Sequence, residues 1–193
     1  MEESIVWLNL HGILPESSCD VQLDVGASRS WEKPPFLFLK CNVGSSWSSD
    51  AFTSGASWIL RDSFGHTRLH SRRSFSGVSS ALQGDLLALT WATEAMKDLK
   101  FKNVLVEFSS TEAAGALNDP LSRPFAYQAC HDILRAVHSL VGSKLLLVPV
   151  SNNVAAFEIA YSVTRDHRLQ SYVARFGPRW LNSLIMMEAT QST

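Results

Sequence analysis

Between Phe36 and Val163 the hydrophobic pattern changes period in a set order, and that order limits the available folds more than any single residue does. Apolar stretches at 36–43 and 54–61 read as strands. Asp62-Ser63-Phe64-Gly65 is a short turn joining the second of them to a third strand at 66–75 as a hairpin. Ser80-Ala81-Leu82-Gln83 has the spacing of a capping box, and the stretch to Leu99 is rich in Leu, Ala, Met and Glu, so a long helix starts there, weakened at Gly84. A buried strand at 103–108, a short helix at 112–117, a longer helix at 125–140 and a strand at 144–150 follow. Asn152 or Asn153 is placed to cap a final helix through Val163. This order predicts an α/β fold: a five-stranded mixed sheet, three antiparallel strands and then parallel ones, with helices on both faces.

A chain of 193 residues accommodates one such domain and short extensions. We place an N-terminal extension at 1–34, the domain at 35–165, and a basic, aromatic C-terminal extension at 166–193. With 17 basic and 18 acidic residues the net charge is -1, so a polyanion has to be held by a local patch and not by an overall basic field. Cys19, Cys41 and Cys130 are widely spaced and form no CxxC pair, which reads as reduced thiols without a zinc site. The opening Met-Glu-Glu has no basic n-region, and the apolar run at 5–10 is too short for a signal peptide or a membrane span. Cytoplasm or nucleus is the expected location, with no membrane partner.

Two basic clusters are candidate binding surfaces. His66, Arg68, His70 and Arg72 alternate along the third strand and share a face, with Arg61 and Arg73 close by. They read either as a phosphate-contacting stripe that gains charge as the histidines protonate, or as an edge strand kept from aggregating by charge. Arg165, His167, Arg168, Arg175 and Arg179 are interleaved with Tyr172, Phe176 and Trp180. Such a pattern grips single-stranded nucleic acid or docks the tail onto the domain, and Gly177-Pro178 interrupts any helix through it.

The segment Trp31-x-Lys33-Pro34-Pro35, leading into Leu39-Lys40-Cys41-Asn42-Val43, is followed by Gly55-Ala56-x-Trp58-Ile59-Leu60-Arg61-Asp62-x-x-Gly65. Leu86-Leu87-Ala88-Leu89-x-Trp91-Ala92-x-Glu94, Asn103-Val104-x-Val106-Glu107 and Asn153-Val154-Ala155-Ala156 with Ile159-Ala160 complete the series. In this order the segments resemble the plant reverse-transcriptase-like ribonuclease H domains related to non-LTR retroelements, from Trp31 to about Arg165.

The resemblance implies hydrolysis of the RNA strand of an RNA-DNA hybrid by two magnesium ions about 4 Å apart, held by four acids. Carried over residue by residue, those positions fall on Gly44, Asp85, Ser109 and Phe157, so only Asp85 remains acidic. Glu107 lies two residues before Ser109, and Asp85 with Glu107 is the most the chain offers a single weak magnesium ion. No cofactor is therefore expected, magnesium being the metal if any activity remains. Asp85 also reads as a charge favoured by the helix dipole in a first turn, Glu107 as a strand acid paired with an arginine, and Phe157 as core packing on an apolar helix. The expected protein is a ribonuclease H-like pseudoenzyme with weak residual affinity for RNA-DNA hybrid or RNA. The alternatives are a protein-interaction scaffold and an active nuclease with unorthodox ligands.

Overall fold

The structure of the protein, a computed structural model, describes residues 22–23 and 30–191. The apolar run at 5–10 and Cys19 lie outside the described residues. One sheet holds β1 (Gln22–Leu23), β2 (Leu39–Ser48), β3 (Thr53–Arg61), β4 (Thr67–Ser76), β5 (Val104–Phe108), β6 (Lys144–Leu147) and β7 (Tyr172–Arg175). Their order is β1-β6-β5-β2-β3-β4-β7. The five expected strands are β2 to β6, and two short strands extend the sheet at its edges. The β2/β3, β3/β4 and β4/β7 pairs are antiparallel, while β2/β5, β5/β6 and β1/β6 are parallel.

The helices are α1 (Ala81–Asp98), α2 (Thr111–Asn118), α3 (Tyr127–Ser139), α4 (Val154–Asp166) and α5 (Asn182–Gln191). None is long and apolar enough to cross a membrane. Local chemistry accounts for most boundaries. The Gln83 N–H donates to Ser80 Oγ at 3.1 Å, and Gln83 Oε1 accepts from the Ser79 N–H at 2.8 Å, so the box closes one residue earlier than in the usual pattern. In the β3–β4 hairpin Asp62 Oδ1 accepts from the N–H groups of Phe64 and His66, and Gly65 adopts a φ of 85°. Strand β6 stops at Leu147 because Pro149 has no N–H for the ladder, and the chain turns through a 3-10 segment at Val150–Asn152. Asn153 occupies the cap position of α4, yet its side chain does not cap: Nδ2 donates to the Val43 carbonyl at 2.6 Å and ties the helix start to β2.

Alternation along the strands sorts residues to two faces. Cys41 and Val43 of β2, Trp58 and Leu60 of β3, and Val106 and Phe108 of β5 pack with Leu82, Leu86 and Leu89 of α1 in the main core. On the other face Ile59 packs with Ala155, Ala156 and Ile159 of α4 and with Leu181 and Ile185 of the C-terminal segment. That segment is part of the sheet: β7 pairs along β4, so β4 is not an edge strand. The charge-protected-edge reading of its basic residues is thereby overturned.

Beneath α5 lies a buried polar network. Arg61, fully buried, stacks on Trp31 with its guanidinium carbon 3.7 Å from the ring centre and pairs with Glu188 of α5 at 2.5 Å. Asn42 Oδ1 accepts from Trp31 Nε1 and Arg61 Nη2, both at 2.9 Å, and Asn42 Nδ2 donates to Glu107 at 2.9 Å. Glu107 also pairs with Lys40 at 2.7 Å, so its partner is a lysine and not the expected arginine. Burial, the largest influence on each, pushes the Glu107 carboxyl up and the Arg61 guanidinium down from their ordinary values, against the attraction of their partners.

Removing one partner of a buried pair leaves an uncompensated charge. Glu188→Ala is expected to lower unfolding free energy by about 3–5 kcal/mol, measured by urea denaturation. The double variant Arg61→Met/Glu188→Leu should recover most of that loss. Equal stability of Glu188→Ala and the parent would show that the pair does not hold α5.

Candidate functional site

The four family positions are carried by different elements: Gly44 by β2, Asp85 by α1, Ser109 by the residue after β5, and Phe157 by the first turn of α4. Parallel pairing puts Asn42 opposite Glu107, so two residues further on Gly44 and Ser109 stand side by side where β5 ends and β2 runs on past it. Gly44, Asp85 and Ser109 line one small pocket at this rim with Ser45 and Ser110. The fourth residue enters only through its backbone. A Cβ on Gly44 would stand 2.8 Å from the Phe157 nitrogen and 2.5 Å from the Ala156 carbonyl carbon, inside van der Waals contact. The Phe157 ring turns outward, 38% exposed, and stacks on Tyr161 with centroids 5.5 Å apart. Its expected core role is thus overturned, because at this point of α4 the core-facing positions are Ala155 and Ala156.

Asp85 sits in the second turn of α1, past the N–H groups of the first turn, so the dipole reading does not describe it. Ser45 Oγ and the Ser110 hydroxyl donate to its carboxylate. Burial pushes the carboxyl above the ordinary aspartate range; the two hydroxyls act in the opposite sense, and the Glu112 charge adds to the rise. Neither serine is apparent as a site residue from sequence. Ser110 is legible only as a helix cap, a role it also fills by accepting from the Ala113 N–H at 3.1 Å. Glu107 belongs elsewhere: it points with Asn42 to the α4 face, while Asp85 meets Ser45 on the α1 face. The sheet separates the two acids, so Asp85 and Glu107 do not come together as ligands of a single ion.

The donor set at the rim is one carboxylate and three serine hydroxyls around about 20 Å3, room for roughly one water. Among the described residues no three His, Cys, Asp or Glu side chains cluster as metal ligands. Two magnesium ions, each keeping several waters and requiring anionic ligands, do not fit these residues. Asp50 does not repair the set; it is exposed in the turn after β2 and accepts from Ser49 Oγ at 3.2 Å.

The expected basic stripe is largely spent inside the protein. Arg61 is buried against Glu188. His70 is buried, its Nδ1–H donates to the Phe176 carbonyl, and its Nε2 accepts from the Tyr172 hydroxyl at 3.2 Å. Burial pulls the His70 pKa down, with the Arg72 charge acting in the same sense, so the ring is held neutral. Arg72 is buried over the Tyr172 ring and donates to the Gln170 carbonyl at 3.3 Å. Arg73 points to the α1 face over Phe75 and Trp91. Arg68 and His66 are exposed beside Asp62, at 3.6 and 3.9 Å. Arg165 pairs with Asp166 at 2.7 Å and Glu158 at 3.5 Å; Arg168 lies 3.6 Å from Asp166 and over Trp180. Arg175 is exposed on β7. Tyr172 through its ring and hydroxyl, and Phe176 through its backbone, therefore dock the C-terminal segment onto β4.

A central mixed sheet in this order, with α1 and α4 on opposite faces, defines a ribonuclease H-like α/β domain. The chain belongs to the reverse transcriptase-like family, whose sequence profile matches residues 42–163. A search of curated protein sequences finds no significant match. Among solved structures it is similar to RNase H1 from the archaeon Halobacterium salinarum, with 15% identity and a TM-score of 0.59 over 66% of this chain and 98% of that one. The N-terminal RNase H domain of a Mycobacterium tuberculosis protein shares 10% identity, TM-score 0.58, over 66% and 94%. LC9-RNase H1, a type 1 RNase H with the type 2 active-site motif, shares 11% identity, TM-score 0.60, over 82% and 87%. At these identities the likeness concerns the fold.

Two outcomes follow from the rim geometry. Gly44→Ala is expected to cost about 2–3 kcal/mol by forcing α4 away from β2, whereas Ser109→Ala should change stability by less than about 1 kcal/mol; urea titration distinguishes them. Because the folded Asp85 carboxyl binds its proton more tightly than in the unfolded chain, stability falls as pH rises from the unfolded aspartate value through the folded one. Asp85→Asn should therefore melt higher than the parent at pH 7, with the advantage vanishing below the ordinary aspartate pKa. A lower melting temperature at pH 7 would contradict this assignment.

Proposed function

We propose that the protein is a ribonuclease H-type domain that does not cleave RNA-DNA hybrids, a pseudoenzyme whose vacated centre survives as structure. The observation that carries this reading is the seating of α4 on Gly44, where the family's first carboxylate would stand. A side chain there meets the backbone of Ala156 and Phe157, so this departure is built into the packing of a whole helix and goes beyond a missing functional group. The remaining acid is half-buried, its pKa pushed up by burial, and engaged by two hydroxyls, which suits a structural carboxyl better than a metal ligand. An origin among plant retroelement domains and an intracellular location accord with the same reading. Residual affinity for hybrid or RNA would rest on the exposed cations Arg68, Arg73, Arg168 and Arg175, a scattered set that favours weak, salt-sensitive binding.

A second reading, a protein-interaction scaffold, is favoured by one specific observation. The exposed Phe157–Tyr161 stack, flanked by Arg165 4.9 Å from the Tyr161 ring, has the aromatic and arginine character of an interface centre.

The deciding experiment incubates end-labelled RNA-DNA hybrid with purified protein in magnesium and in manganese. No cleavage above that of a mock preparation is expected. Cleavage that disappears in Asp85→Asn would overturn the pseudoenzyme reading and show that the rim holds metal.

A further inference from the structure

A second concavity lies away from the rim at Gly44, at the opposite end of the sheet. It is a groove of about 1000 Å3 where the C-terminal segment passes the β3–β4 hairpin and the start of β2. That size is at the upper end of ordinary small-molecule sites. Much of its wall is contributed by β7, Gly177 and α5, beyond residues 42–163, so it belongs to this chain's extension and not to the matched family region. Leu39, Leu69, Phe101, Phe176, Ile185 and Met186 make the wall mainly apolar.

Three features distinguish it from a chance depression. Phe176 has a φ of 63°, a left-handed backbone that a bulky residue adopts only under strain. Its N–H donates to the Arg68 carbonyl at 3.3 Å and its carbonyl accepts from buried His70, so the strained residue is clamped from both sides. The result is an aromatic ring 72% exposed at the rim, matched across the groove by Met186, 66% exposed on an adaptable side chain. Next, Arg175 lines the groove and its guanidinium enters no ion pair, hydrogen bond or ring contact among the described residues, unlike those of Arg61, Arg72, Arg165 and Arg168. Arg68, also lining the groove, holds Asp62 only at 3.6 Å. Finally, Asp62, the carboxylate of this wall, is already engaged by two backbone N–H groups of its turn.

We propose that this groove binds an amphiphilic organic anion, its apolar body lying along the Phe176–Met186 wall and its acid head on Arg175. An exposed guanidinium gains most from an oxyanion that it meets through two N–H groups, and an apolar body removes from water the surface that now faces it. Asp62 disfavours a cationic head, and a ligand without charge would leave Arg175 unused. The site is independent of whether the rim at Gly44 cleaves nucleic acid.

The test is calorimetric titration of the purified full chain with decanoate, and with decan-1-ol as the uncharged analogue. One-to-one decanoate binding is expected. Arg175→Gln should weaken it about tenfold, the loss of one charge-assisted contact, while leaving decanol binding unchanged. Phe176→Ser/Met186→Ser should weaken both ligands. All three side chains are exposed, and thermal denaturation verifies that the variants fold. Absence of decanoate binding at millimolar concentration, equal affinity in Arg175→Gln, or binding only of an acidic amphipathic peptide would each overturn the proposal, the last by assigning the groove to a protein partner.

Discussion

The seating of α4 on two adjacent strands is the contact on which the rest of the structure depends. Gly44 of β2 and Gly55 of β3 lie on the same face, two residues apart in register, and each lets the helix backbone approach more closely than any side chain would permit. A Cβ at Gly55 would stand 2.7 Å from the Val163 Cβ. Ser57, paired with Gly44 across the strands, donates its hydroxyl to the Ala156 carbonyl at 2.5 Å, and Asn153 ties the first turn to Val43. The helix answers with small residues at Ala155, Ala156 and Ala160. Close packing of this kind gains dispersion along two strands at once, and it leaves no space for a side chain at the contact.

That geometry connects stability to chemistry. A two-metal centre places negative charge where β5 ends beside β2, and in this protein a side chain on Gly44 there would meet the main chain of Ala156 and Phe157. With Gly44 committed to packing, charge at Ser109 would lack a partner ligand, and Asp85 has instead settled into a local arrangement with Ser45 and Ser110. The outward turn of Phe157 follows from the same seat: its backbone touches β2 while its side chain, one position past Ala156, points to solvent. The lack of a side chain at Gly44 and the tight helix packing there are therefore two aspects of one arrangement.

The C-terminal segment performs the complementary task on the far side of the sheet. Its strand covers β4 and its helix covers the Arg61 network, which converts exposed cations into internal ones. Arg61 is satisfied by Glu188, Arg72 by Tyr172 and Gln170, and His70 by the Phe176 carbonyl. Desolvating these groups is costly, and each is compensated by a partner from the segment that buries it. The same crossing of β7 and α5 past the hairpin leaves the apolar groove with Arg175 at its edge.

Element order, the α1 cap at Ser80 and the hairpin turn at Asp62–Gly65 were all legible from the chain, because each rests on residues within a few positions of one another or on a segment order. Boundaries moved where a backbone constraint intervened, as at Pro149, or where a side chain was drawn away, as Asn153 was to Val43. What periodicity cannot express is contact between distant residues. Arg61 meets Glu188 across 127 positions and His70 meets the Phe176 carbonyl across 106, and contacts of this kind, with the pairing of β7 along β4, decide that the basic stripe faces inward and that β4 has a neighbour. Gly44 shows the division most clearly: its lack of a carboxylate is plain in the amino-acid order, but the reason a carboxylate has no room there is the backbone of a helix more than a hundred residues later, and only packing in three dimensions brings it into place.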